Sequence, residues 1–131
     1  MKQLSVESTN ILNQMVGMLE GFCVRIDNSN GQFMPVYVAQ YHESLGNRII
    51  RVGHYTSNEG NITSDPEMRF IYDEKEDIYY PSYYRQDCLE VEQESVKTVR
   101  GEIKTVNKFL QAEHTEFANQ WLINIKHQQN L

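Results

Sequence analysis

Residues 67–85 read EMRFIYDEKEDIYYPSYYR, and the fold turns on this stretch. From Glu67 to Tyr72 the pattern has period two, placing Met68, Phe70 and Tyr72 on one face. The run Asp73-Glu74-Lys75-Glu76-Asp77 is too charged to bury and reads as a turn. A Tyr-rich strand follows from Ile78 to Arg85, interrupted by Pro81. Strict alternation would set Tyr80 and Tyr84 beside Ile78, and Tyr79 and Tyr83 beside Arg85. Two strands joined by so short a connection pair antiparallel, because a parallel pair needs a long crossover.

Working outward, the same period recurs on both sides. Phe22, Val24 and Ile26 alternate with Cys23, Arg25 and Asp27. Asn30-Gly31 then predicts a tight hairpin turn, since both residues tolerate positive φ. Phe33–His42 is the next strand, with Pro35 marking an edge or a strand beginning. Gly46-Asn47 predicts a turn, Arg48–Tyr55 a strand, and the polar run Ser57–Ser64 a loop. Beyond the Tyr-rich strand, Leu89 and Val91 alternate with Glu90, Glu92 and Glu94. Ser95–Val106 carries Val at heptad spacing but is broken by Gly101, and reads as strand or loop rather than helix.

The two ends change to a helical period. Leu4, Ile11, Leu12, Met15, Val16, Met18 and Leu19 form one stripe, with Ser5 or Ser8 as cap and Gly21 at the far end. Leu110, Phe117, Trp121 and Ile125 form another, predicting a helix over residues 107–128. Neither helix can bury its stripe alone. The expected fold is therefore α+β: a meander of five or six antiparallel strands, with an N-terminal and a C-terminal helix on the same face, in a single domain over 1–131.

Composition excludes several functions. The net charge of −6 and pI of about 5.2 oppose a large phosphate-binding surface, so duplex nucleic acid is not an expected partner. No apolar run approaches the roughly 20 residues needed to span a bilayer, and no secretion signal is read at Met1–Ser5. The expected compartment is the cytoplasm, with Cys23 and Cys88 reduced and behaving as small buried hydrophobes. There is no glycine-rich phosphate loop, GxSxG, HExxH or paired CxxC, so no cofactor is expected.

Three clusters remain as candidates. If neighbouring strands pair, His54, Asp65, Glu67, Arg85 and Asp87 come together near one end of the sheet, with Tyr84 beside them. A His among carboxylates can bind a divalent metal or move protons. Against this, Asp-Pro starts turns, and Arg beside carboxylates is usually a structural ion pair. The structural version of this reading has Asp65 accepting from backbone amides, and Glu67 or Asp87 pairing with Arg85 or Arg69. The second cluster is the tyrosines of 78–85, which beside Arg can stack unpaired bases, or simply pack. The third is the acidic row Glu90, Glu92 and Glu94, a solvated face or a mimic of a phosphate backbone.

The combination GHY–loop–DPEMRF, YYPSYYRQD, a Glu-rich strand and FANQWLINIKHQQ resembles a family of small uncharacterised bacterial proteins, and domains of larger ones, carried by plasmids, phages and integrative elements. The resemblance runs from about Met18 to Gln129. Its block falls on His54, Asp65, Pro66, Glu67, Met68, Pro81, Tyr84, Gln86 and Asp87, and near Trp121 on Phe117 and Leu122. It implies a mobile-element or phage context and supplies no catalytic residues. The sequence thus reads first as a non-enzymatic accessory protein that binds a protein partner, a factor of host defence or element maintenance. One alternative is a metal-dependent or acid–base enzyme centred on His54, Asp65, Glu67 and Asp87. The other is a single-stranded nucleic-acid binder using the Tyr-rich strand.

Overall fold

The structure, a computed structural model, describes residues 1–42 and 47–131. Helix α1 (Val6–Val16) opens the chain, and Ser5 caps it by accepting from the Ser8 amide at 3.1 Å. Such a cap contributes about 1 kcal/mol. The helix ends at Gly17, before the Gly21 expected from the sequence. Six strands follow: β1 (Cys23–Ile26), β2 (Val36–His42), β3 (Arg48–Asn58), β4 (Asn61–Asp73), β5 (Ile78–Gln86) and β6 (Val91–Glu94). They lie side by side in chain order and every neighbouring pair is antiparallel, as short connections require. A short 3₁₀ turn, Asp87–Leu89, joins β5 to β6. The ambiguous segment forms a separate hairpin, β7 (Val96–Val99) and β8 (Glu102–Val106). Helix α2 (Lys108–Gln128) closes the chain, with Asn107 accepting from the Leu110 amide at 3.1 Å. No helix among the described residues is long and apolar enough to cross a membrane.

Both helices cover one face of the sheet, hereafter the helix face. Leu12 and Met15 of α1 and Ala118, Leu122 and Ile125 of α2 meet Val38, Ile50, Val52, Met68, Phe70 and Tyr79 in one apolar core. The α2 stripe is turned from its sequence reading. Leu110 and Phe117 sit at the margin, while Gln111, His114 and Thr115 are inside. These polar groups are tolerated because each finds a partner. The Gln111 side chain bonds both backbone groups of Lys2 and the Pro81 carbonyl, tying the N-terminus and β5 to α2. Gln129 accepts from the Asn28 amide at 2.7 Å and donates to the Met34 carbonyl at 3.0 Å, which fixes the β1–β2 loop.

Several sequence expectations change here. The first concerns Ser57–Ser64, which is the tip of a long hairpin and not a loop. Glu59 and Gly60, both at positive φ, make its two-residue turn. Asn30 and Gly31 also have positive φ but sit within a wider connection, so β2 starts at Val36. Glu90 lies at a turn with φ 54°, leaving only Glu92 and Glu94 of the acidic row on a strand. Finally, the tyrosines of β5 exchange faces. Phe70 pairs with Pro81 while Arg69 pairs with Tyr83, so Ser82 is an inserted bulge residue. Tyr79 and Tyr84 therefore share the helix face, and Tyr80 and Tyr83 the other. The turn expected at Gly46 falls outside the described residues. Cys23 and Cys88 are free thiols and both are exposed, in place of the expected burial.

Candidate functional site

The second face of the sheet is only partly covered. Val96 and Val106 of the β7–β8 hairpin pack on Ile49, Ile71 and Tyr80 at one end. The other end is left open and carries a groove of about 560 Å³. Cys23, Tyr37, Arg51, Tyr55, Ile62 and Glu67 are among its lining residues.

An irregularity in the β3–β4 pairing, with the extra residue in β4, lies beside this groove. Gly53 pairs with Glu67 and Tyr55 pairs with Ser64, so the register shifts between them. The Tyr55 ring lies back over Gly53, and a Cβ on that glycine would stand 2.5–2.7 Å from the ring atoms. Only glycine leaves this slot. The ring also meets Tyr37 edge-on at 5.7 Å. Its hydroxyl donates to Glu67 Oε1 at 2.7 Å. Burial, and then Glu67, push the Tyr55 phenol far above its ordinary value, so it remains a donor.

Glu67 is 5% exposed and starts a chain of polar contacts across the open face. Its Oε2 accepts from Nε and Nη2 of Arg69, both at 2.9 Å. Both guanidinium nitrogens converge on this one oxygen, a charge-assisted contact that leaves Oε1 to Tyr55. The Arg69 guanidinium lies 4.0 Å above the centre of the Tyr83 ring. Tyr83 donates to Glu92, which Arg85 Nη1 approaches at 3.6 Å. Arg85 Nε donates to Asp87 Oδ1 at 2.7 Å, and Asp87 Oδ2 accepts from the Ser64 amide at 2.7 Å. The Asp87 carboxyl is held below its ordinary value by Arg85 first and the Ser64 amide second.

The six residues singled out from the sequence are divided by the sheet. Glu67, Arg85 and Asp87 belong to the open-face chain of contacts. His54 and Tyr84 belong to the helix face. The His54 ring meets Trp121 edge-on at 5.7 Å, and its Nδ1 donates to the Pro35 carbonyl at 3.0 Å. Burial lowers the His54 pKa. Tyr84 packs against Phe117, with ring centres 5.0 Å apart, and donates to Gln86. Asp65 acts electrostatically on His54, Tyr84 and Cys88, and the Cys88 thiol is pushed up chiefly by its hydrogen bond to Asp65. Among the described residues no backbone amide donates to Asp65, contrary to the sequence expectation. Its Oδ1 is buried without a partner, and Asp87 takes the Ser64 amide instead.

Two pairings expected from the sequence do form, Glu67 with Arg69 and Asp87 with Arg85. The Glu67 side chain is buried, because Tyr55 and Arg69 fold over it. His54 and Glu67 lie on opposite sides of the sheet, so no single cleft gathers the block. Among the described residues, no three His, Cys, Asp or Glu side chains form a group that could hold a metal. The tyrosines of β5 are packed: Tyr79 and Tyr83 are buried, and Tyr80 and Tyr84 are half-buried.

Sequence reasoning missed Arg51, Tyr37 and Tyr55. One signal was available: Gly53 and Tyr55, two apart on a strand, allow the ring to lie over the glycine.

Fold and site together define a two-layer α+β domain, with helices on one face of a meander and an aromatic-lined groove on the other. The chain belongs to the family described as Domain of unknown function (DUF6908), which it matches over residues 7–131. Comparison with curated proteins and with solved structures finds no match.

Proposed function

We propose that this chain is a non-enzymatic accessory protein of a plasmid, phage or other mobile element, and that it acts by binding a protein partner through the open face of its sheet. The observation that carries this reading is the state of the polar groups there. Glu67, Arg69, Glu92, Arg85 and Asp87 are all engaged with one another, with Tyr55 and Tyr83, or with the Ser64 amide. A saturated set of this kind holds side chains in place and leaves none of these carboxylates poised as a base. Beside it, Tyr37 and Tyr55 wall a groove that the β7–β8 hairpin does not reach. Tyrosine suits docking surfaces because its ring is apolar and its hydroxyl wet. The mobile-element context rests on the sequence resemblance.

The test is affinity capture from the native host with three baits: the parent, Tyr37→Asp in the groove, and Phe109→Glu on the outer side of α2. Phe109 is 77% exposed, so that variant leaves the fold intact. A partner retained by the parent and by Phe109→Glu but lost by Tyr37→Asp supports the open face. Loss with Phe109→Glu alone moves the interface to the helices and defeats this reading.

A further inference from the structure

We infer that the groove takes an extended peptide segment of its partner carrying a carboxylate, and that Arg51 holds that carboxylate; this rests on the open face being the docking surface. Five arginines lie on the strands. Arg25 is within 4 Å of Asp27, Arg48 of Glu74, Arg69 of Glu67, and Arg85 of Asp87 and Glu92. Arg51 is the exception: its side chain makes neither an ion pair nor a hydrogen bond with another described residue. It is half-buried on β3 and lines the groove.

Its neighbours explain why it stays unpaired. Arg51 stands directly opposite Arg69 in the β3–β4 register. Like charges in that position repel, so one of the two must be neutralised. Glu67 neutralises Arg69, and its other oxygen is taken by Tyr55. The single charge of Glu67 is thus committed to Arg69 and does not compensate Arg51 as well. A half-buried guanidinium without an acid keeps an unused fork of donors, and the group that fits this fork best is a carboxylate bound by two hydrogen bonds.

The rest of the groove selects the kind of molecule. Ala39 and Ile62 line it together with the two tyrosines, and Ile62 is 71% exposed at its rim. Apolar side chains flanking an acidic one would cover these surfaces. A run of phosphates is disfavoured, because among the described residues Arg51 is the one uncompensated strand arginine, the chain has a net charge of −6, and Glu92 and Glu94 lie on the same face.

Amide NMR titration of the intact chain tests this directly. The probe is a capped peptide with a central glutamate between valines. Its glutamine counterpart, inorganic phosphate and a short oligothymidylate serve as comparisons. Saturable shifts should appear at Tyr37, Arg51, Tyr55 and Ile62. The glutamine peptide should bind about tenfold or more weakly, and Arg51→Gln should lose a similar factor while its other resonances stay in place. Arg51→Lys should recover part of the loss, because the charge returns without the fork. Equal binding of the two peptides, full affinity in Arg51→Gln, or shifts confined to the helix face would overturn the assignment. Tighter binding of phosphate or oligothymidylate than of the glutamate peptide overturns the peptide class. The captured partner separates the two levels of the reading. Loss with Tyr37→Asp but retention with Arg51→Gln keeps the docking face and overturns the carboxylate. Glutamate-peptide binding at Arg51, with a partner indifferent to both variants, overturns the docking face instead.

Discussion

Glu67 is the residue on which the open face depends. It is a buried carboxylate, and its two oxygens are used by different partners, Tyr55 and Arg69. Removing its charge while keeping its shape separates those roles. In Glu67→Gln an amide can still accept from Tyr55, but Arg69 loses its anion while half-buried beside Arg51. The expected cost is about 1–3 kcal/mol, read as a lower urea midpoint with unchanged slope. The exposed Arg25–Asp27 pair serves as the contrast, since Asp27→Asn should cost at most about 1 kcal/mol. Equal effects of the two substitutions would show that the burial of Glu67 contributes nothing.

At the scale of elements, the alternation of β3 sends His54 toward α2 and Tyr55 toward the open face, while the extra residue of the register shift lies in β4, where Asp65 and Pro66 stand opposite His54 alone. Gly53 makes this arrangement possible, because the Tyr55 ring occupies the space its side chain would need. Gly53→Ala should therefore displace the ring and destabilise the protein by about 1–3 kcal/mol, as overpacking does. Tyr55→Ala should also destabilise, through lost burial and the lost bond to Glu67. The double variant should be clearly less unstable than the sum of the two, since the alanine methyl then meets empty space. Additivity in denaturant melts would mean that the ring and the glycine are not coupled.

For the whole molecule, His114 links the fold to pH. It is 3% exposed, between the Ser95 hydroxyl at Nδ1 (2.9 Å) and Gln93 Oε1 at Nε2 (3.0 Å). The Gln93 oxygen only accepts, so Nε2 donates and Nδ1 accepts from Ser95. Burial holds the imidazole at about 4, below its ordinary 6.5. Between those values the unfolded chain binds a proton that the folded chain refuses. Stability is therefore full above about pH 6.5 and falls as pH drops toward 4. At about 1.4 kcal/mol per pKa unit, the loss approaches roughly 3 kcal/mol. His54, also lowered by burial, acts with the same sign. The lowered Asp87 adds its share only at more acid pH, below the usual carboxylate value. Thermal melting from pH 7 to 4.5 should show the decline, and His114→Gln should flatten it. A parent protein whose midpoint is constant over that range contradicts the assignment.

Local physics made much of this protein legible in its sequence. Alternation at Glu67–Tyr72, the charged turn after it and the helical stripes at both ends predict a meander with two helices on one face, because strand and helix periods are properties of short segments. The caps Ser5 and Asn107 act within three residues of themselves, and the helix predicted over 107–128 forms at Lys108–Gln128. What depended on distant partners was not legible. Ser82 is a bulge only relative to β4, yet that one inserted residue sends Tyr79 and Tyr84 to the helices and Tyr80 and Tyr83 away from them. Gln111 and Gln129 look like solvated helix residues until the backbones of Lys2 and Asn28, about a hundred positions away, come to meet them. Arg51 and Arg69 are ordinary strand arginines until the β3–β4 register sets them opposite each other, and a single buried glutamate can neutralise only one. Periodicity is written into neighbouring residues, whereas burial, register and charge compensation arise only when the chain closes on itself.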